Sequence, residues 1–132
     1  MMKHFRDIIS RVDKDLVSHL EHSQIDLQQI TFRWFNCLLT RELNYESLIR
    51  VWDTCIAEED GFSVFLVYFC VVLLTRHSQR IKGMEIQDIM ALFGNPKGSF
   101  GLLTVREIEG IISEAFVLKS LFHSSPNHLN SC

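Results

Sequence analysis

Apolar residues recur at helical spacing along almost the whole chain and divide it into about six predicted helices, an all-α fold class. Phe5, Ile8, Ile9, Val12, Leu16 and Leu20 step by three and four positions, while Arg6, Asp7, Arg11, Lys14, Asp15 and Glu21 take the opposite side. That pattern predicts one amphipathic rod over about 5–21. A turn from His22 to Asp26 leads into a second helix, about 27–41, with Ile30, Trp34, Phe35 and Leu38 inward. Asn44 is positioned to cap a third, about 45–56, whose apolar residues are Leu48, Val51, Trp52, Cys55 and Ile56.

Glu58-Glu59-Asp60-Gly61 breaks the pattern before a fourth helix, about 62–80. Its first half is apolar on every side, so other helices must surround it as a central post. The Val, Phe and Tyr residues of 64–74 also suit a strand. The apolar run from Phe62 to Leu74 is thirteen residues, longer than a usual strand, and no partner strand is evident, so helix is the reading. Gly83 can end this helix, a short fifth follows over about 85–93, and Gly94-Asn95-Pro96-Lys97-Gly98-Ser99 reads as a flexible loop. Thr104-Val105-Arg106-Glu107 fits a capping box for the last helix, in which Ile108, Ile111, Ile112, Ala115, Phe116 and Leu121 keep the period. Ser124-Ser125-Pro126 closes it. The expected layout is therefore one helical unit over 2–124 and a short tail over 125–132.

Composition narrows the class. Of 132 residues, 47% are hydrophobic and 22% charged, the balance of one packed domain that needs neither disulfides nor metal. The net charge is −3 and no Lys/Arg run occurs, which excludes nucleic acid as a partner. Cys37, Cys55, Cys70 and Cys132 show no C-x-x-C spacing. The first three fall in apolar helical patterns and read as small hydrophobes of a reducing compartment. The N-terminus lacks the apolar stretch of a signal peptide, and the run of thirteen falls short of the roughly 20 residues a membrane span needs. A cytoplasmic protein with no transmembrane segment is expected.

Candidate chemistry is sparse. His19 and His22 have a spacing compatible with metal ligation, but the sequence supplies no third ligand nearby, and two exposed His at a helix end is the reading. Glu58, Glu59 and Asp60 read as a solvated turn beside a helix start. Phosphate-cradling and serine-nucleophile motifs are absent, and no cofactor or metal is expected. What stands out is Arg33-Trp34, Arg41-Glu42 and Trp52-Asp53, in which charged residues flank core positions. These six are expected to be architecture. Asp53 in particular is expected to be largely buried and to accept hydrogen bonds from an Arg of the preceding helix or from backbone amides, because a buried carboxylate without partners is too costly.

In this order, with Glu59-Asp60-Gly61-Phe62-Ser63 and Ser125-Pro126-Asn127-His128-Leu129, the elements resemble the second half of a TBC domain, the module of Rab GTPase-activating proteins. The likeness runs from about Asp7 to Leu129 and is strongest to the Gyp1-like branch, which is associated with Golgi trafficking. It implies an all-helical fold, a Rab-family GTPase as partner and a location in the cytoplasm at the Golgi or other endomembranes. In that family an arginine from Ile-x-x-Asp-x-x-Arg offsets charge on the transferred phosphoryl group, and a glutamine from Tyr-x-Gln positions the attacking water. Neither motif occurs here: Arg11-Val12-Asp13 has the wrong order, and Tyr45-Glu46-Ser47 carries Ser where Gln is needed. No catalytic residue is carried over.

The resemblance therefore implies the C-terminal lobe of a Rab GTPase-activating domain, a scaffold and possible GTPase-binding surface that is not an enzyme and does not activate GTP hydrolysis alone. A stand-alone helical adaptor or non-catalytic Rab binder is the alternative; a small metal-dependent or acid/base enzyme rests only on scattered His and acids. A lobe severed from its first half is expected to pair with that missing half or to self-associate, or else to leave its first helix and residues 94–100 poorly ordered.

Overall fold

Ten consecutive residues, Phe65 to Leu74, are buried, and they lie on a single helix. The computed structural model describes residues 2–94 and 100–122, without the side chains of Met2 and Ile30. Among these residues the chain forms α1 (Met2–Val12), α2 (Lys14–His22), α3 (Leu27–Asn36), α4 (Tyr45–Ala57), α5 (Phe62–Arg76), α6 (Ser78–Lys82), α7 (Ile86–Gly94), a 3-10 turn (Phe100–Leu102) and α8 (Val105–Phe122). No strand occurs among them. The expected loop after Gly94, the Ser125–Leu129 motif and the tail over 125–132 lie outside the described residues.

The post expected in the middle is α5. A helix apolar on all sides must be covered on all sides, and α1, α4 and α8 each lie against it. Phe5, Ile8 and Ile9 are the buried residues of α1, so the first helix packs onto the core, and Phe5 meets Phe35 of α3 edge-on at 5.4 Å. Gly61 starts α5 at φ +103°, a backbone region that an L side chain enters only under strain. Lys119, near the end of α8, reaches Glu58 at 2.6 Å and Asp60 at 2.7 Å on either side of the turn that precedes Gly61.

Two expected caps are present. Asn44 Oδ1 accepts from the Ser47 amide at 3.0 Å, and Thr104 and Glu107 exchange side-chain and backbone hydrogen bonds at 3.1 Å. Three expected helices end earlier than their apolar pattern does, giving eight α-helices among the described residues in place of about six. The first rod breaks at Asp13, whose carboxylate accepts from the Leu16 amide at 3.2 Å and starts α2. The second stops at Asn36, because Leu38 and Leu39 take left-handed backbone at φ +51° and +67°. The fourth stops at Arg76. Continuing it would direct the His77 amide to the Leu73 carbonyl, but the His77 ring Nδ1 lies on that carbonyl at 2.9 Å and the amide turns to Leu74.

Asp13 also pairs with Lys82 of α6 at 3.2 Å. Burial raises its pKa, but the polar surroundings, with the Lys82 ammonium and the Leu16 amide in direct contact, outweigh burial and hold it below the ordinary 3.8. A carboxylate with a depressed folded pKa stabilises the fold above its unfolded pKa and loses that contribution as pH falls through the folded value. Asp13→Ala should therefore cost about 1–2 kcal/mol at neutral pH. Asp13→Asn, which keeps a cap but loses the partly exposed ion pair, should cost no more than about 1 kcal/mol. Both differences, read from urea melts, should shrink as pH falls below 3.8; a gap that persists there would show that the charge is not what matters.

Candidate functional site

The three charged-aromatic pairs do not converge on one site. Trp34 is buried at 1% exposure between α3 and the far end of α7. Its ring meets Phe100 edge-on at 5.4 Å and Phe93 at 6.1 Å. Beside it, Arg33 Nη2 donates to the Phe93 carbonyl at 3.0 Å, supplying a donor to the last turn of α7, where free carbonyls and the negative end of the dipole lie. Arg33-Trp34 therefore fastens α7 and the 3-10 turn to α3. Asn44 does the same from α4, its Nδ2 donating to the Gly101 and Leu103 carbonyls at 3.0 Å each.

Trp52 works elsewhere. Its indole N–H donates to the Leu38 carbonyl at 2.9 Å, closing the left-handed turn between α3 and α4 from above. Arg41 is exposed. The expected burial of Asp53 is wrong: it is exposed and makes no hydrogen bond or ion pair with a described residue. The reason is angular. Val51 and Cys55 face α5, and at 100° per residue Asp53 points to the other side of α4. The deeply buried carboxylate of this region is Glu42, at 0% exposure in the α3–α4 turn.

Among the described residues, two apolar surfaces bear on where another molecule can sit. One is a cleft of about 310 Å³ between α3 and α7, lined by Ile86, Ile89, Met90 and Phe93 on one side and by Gln29 and Arg33 on the other. The second is the outer flank of α4, where Tyr45 and Ile56 are 77% and 70% exposed and Ile49 is also exposed. A sequence signal for this flank existed: positions 45, 49, 52 and 56 form an apolar stripe in addition to 48, 51 and 55.

Burial, then the nearby Glu58 charge, pushes the Cys55 thiol up to about 12, and burial followed by Cys55 and Glu42 raises Cys70 well above its ordinary range. Burial pulls on Lys119 in the direction of neutrality, but Asp60 and Glu58 reverse this and keep its pKa raised, so it stays an ion-pairing cation. His19 Nε2 lies 3.1 Å from the Met84 carbonyl and ties α2 to the turn before α7, while His22 is exposed. Among the described residues no group of three His, Cys, Asp or Glu is placed to hold a metal, and no helix is long and apolar enough to cross a membrane.

These features belong to an all-helical unit in which Trp34 and Glu42 are buried, Arg33 and Trp52 half-buried, and Arg41 and Asp53 exposed. The chain belongs to the Rab-GTPase-TBC domain family, which matches residues 1–82. It is 39% identical over 130 residues to GTPase-activating protein gyp1 of Schizosaccharomyces pombe, a match covering 97% of this chain and 25% of that protein. It is 35% identical over 129 residues to human TBC1 domain family member 22B, covering 96% of this chain and 25% of the other. The crystal structure of the Ypt/Rab-GAP domain of Gyp1p superimposes with a TM-score of 0.83 at 33% identity, over 91% of this chain and 37% of that one. These likenesses put the chain in the Gyp1-like branch. It spans about a quarter of the length of the relatives it matches.

One expectation is overturned here. The chain was expected not to be an enzyme, because two short motifs are absent from its sequence. Yet the relatives that match it nearly end to end include proteins named GTPase-activating proteins, a class defined by stimulating GTP hydrolysis. Motifs absent from a stretch equal to a quarter of such a protein do not set aside the class to which the stretch belongs.

The geometry ranks the signature residues by their mechanical importance. Trp34→Ala should cost about 3–5 kcal/mol, the range for emptying a large aromatic site. Trp52→Phe should cost about 1 kcal/mol for the hydrogen bond to Leu38. Asp53→Asn should stay within about 0.5 kcal/mol, as for an exposed position. Urea unfolding of the three variants checks the order, and a large loss at Asp53→Asn would contradict the outward orientation of that residue.

Proposed function

We propose that this chain serves Rab GTPase activation as the C-terminal lobe of a Rab-GTPase-TBC domain, supplying a rigid helical scaffold and part of the surface on which the GTPase docks. The lobe corresponds to residues 2–124, with 125–132 as a tail beyond it. The observation that carries the reading is the match in shape and sequence to the Ypt/Rab-GAP domain of Gyp1p over 91% of the chain. The interior supports the same role. The signature Trp34 and Trp52 lock α3, α4 and α7 to one another through buried contacts and a backbone hydrogen bond, which suits a platform that must present a fixed outer surface. The partner under this reading is a Rab-family GTPase, met in the cytoplasm at the Golgi or another endomembrane.

A docking platform for an activator is expected to prefer the GTP-bound state, since that is the state on which activation operates. Purified chain should bind at least one member of a Rab panel more tightly when the GTPase carries a non-hydrolysable GTP analogue than when it carries GDP, as read by titration calorimetry. Phosphate release followed on the same pairs then measures how much of the activation these 132 residues contain. Absence of saturable binding to every Rab in both nucleotide states would sink the proposal.

A further inference from the structure

Tyr45, Ile49, Trp52 and Ile56 follow one another at steps of four, three and four, so they line one flank of α4 over three turns. This flank is separate from the face that buries Leu48, Val51 and Cys55 and from the side where Arg50 approaches Glu109 of α8 at 4.0 Å. It is apolar and largely open, with Tyr45 and Ile56 mostly exposed at its two ends. It is also held in shape, because the half-buried Trp52 in its middle is tied to the Leu38 carbonyl. Along its outer edge run two exposed acids, Glu46 and Asp53.

We propose that this flank is an internal seam of the Rab GTPase-activating domain: it receives a helical segment from the part of such a domain that lies outside these residues. The segment's apolar side meets Tyr45, Ile49 and Ile56, and its basic side chains face Glu46 and Asp53. The inference rests on the family reading above. Two observations select this occupant. In the Gyp1p domain the matched fold makes up 37% of the chain, so that domain holds further chain from which a covering segment can come. The acids argue against an antiparallel second copy, because that two-fold pairing of this flank sets the Glu46 and Asp53 edge of one copy beside the same edge of the other.

The chain holds two tryptophans, one buried in the core and one on the flank, which makes the test direct. The chain is labelled with 5-fluorotryptophan and titrated with the unlabelled stretch of the Gyp1p Ypt/Rab-GAP domain that has no counterpart here. The fluorine resonance of Trp52 should shift saturably while that of Trp34 stays in place. Tyr45→Glu with Ile56→Lys should weaken the shift about tenfold or more. These two exposed changes suit the helix dipole, so the free chain should melt within about 2 °C of the parent. A second measurement covers poor behaviour of the isolated stretch. In a chimera where this chain replaces its counterpart in the Gyp1p domain, the same pair of substitutions should lower the melting temperature by clearly more than in the free chain.

Four outcomes overturn the seam. They are an unmoved Trp52 resonance, a shift indifferent to the substitutions, a shift produced by raising the concentration of the chain alone, and a chimera that is no more sensitive than the free chain. A shift caused only by GTP-loaded Rab would also overturn it by making the flank part of the GTPase surface. Failure of Rab binding with the Trp52 response intact would instead remove the functional proposal and leave the seam standing.

Discussion

The structure depends on α5 being surrounded. Ten buried residues in sequence leave this helix no solvent side, so α1, α4 and α8 must each commit an apolar face to it. Each of its large side chains is worth about 1.5–3 kcal/mol when removed from water, which makes a partly covered α5 far less stable than the closed arrangement. The ends of the post are then managed separately. At the start, Gly61 permits the sharp entry and Lys119 clamps the acids around the turn; at the end, the His77 ring takes the carbonyl that another helical turn would have used. The elements farther from the post are fastened by other contacts, α3 and α2 to α1, and α7 to α3 through Arg33.

Legibility in the sequence follows from that arrangement. The post, the Asn44 cap and the Thr104–Glu107 box were readable because each is a local property: an apolar run, or a side chain that satisfies amides within three residues. The early end of α3 was not. Cys37, Leu38 and Leu39 continue the apolar pattern with no Gly or Pro to stop it. The left-handed turn at the two leucines is fixed by remote partners, with Leu39 fully buried and Trp52 holding the Leu38 carbonyl. The break at Asp13 is similar, since its second partner, Lys82, lies on α6. Long-range contacts select the stopping points, and a periodicity argument does not contain them.

The signature residues show the same division. Trp34 was readable as an inward position, but the partners of Arg33 and Trp52, the Phe93 and Leu38 carbonyls, were not. Asp53 was misassigned by adjacency to a core residue, when the helical angle from Val51 and Cys55 already directs it outward. The buried acid came instead from Glu42, in a turn whose path no local rule anticipates. Of the six signature residues, Arg33, Trp34 and Trp52 contact neighbouring elements, whereas Arg41 and Asp53 are exposed. The surfaces that would meet a partner are formed by less distinctive residues such as Tyr45, Ile56, Ile86 and Met90.

That separation explains how one helix can serve two masters in such a domain. α4 uses Leu48, Val51 and Cys55 for α5 and Arg50 for α8, and still carries a second apolar stripe that these contacts leave open. On that flank Tyr45, Ile49 and Ile56 keep an apolar stripe in register over three turns. Trp52 sits where the two requirements meet. Its indole N–H secures the turn that lets α3 and α4 pack on the post, and its half-buried ring forms the middle of the open stripe. Any molecule seated there would lean on the same residue that holds the lobe's interior turn, so coverage of the flank and rigidity of the α3–α4 corner are mechanically linked.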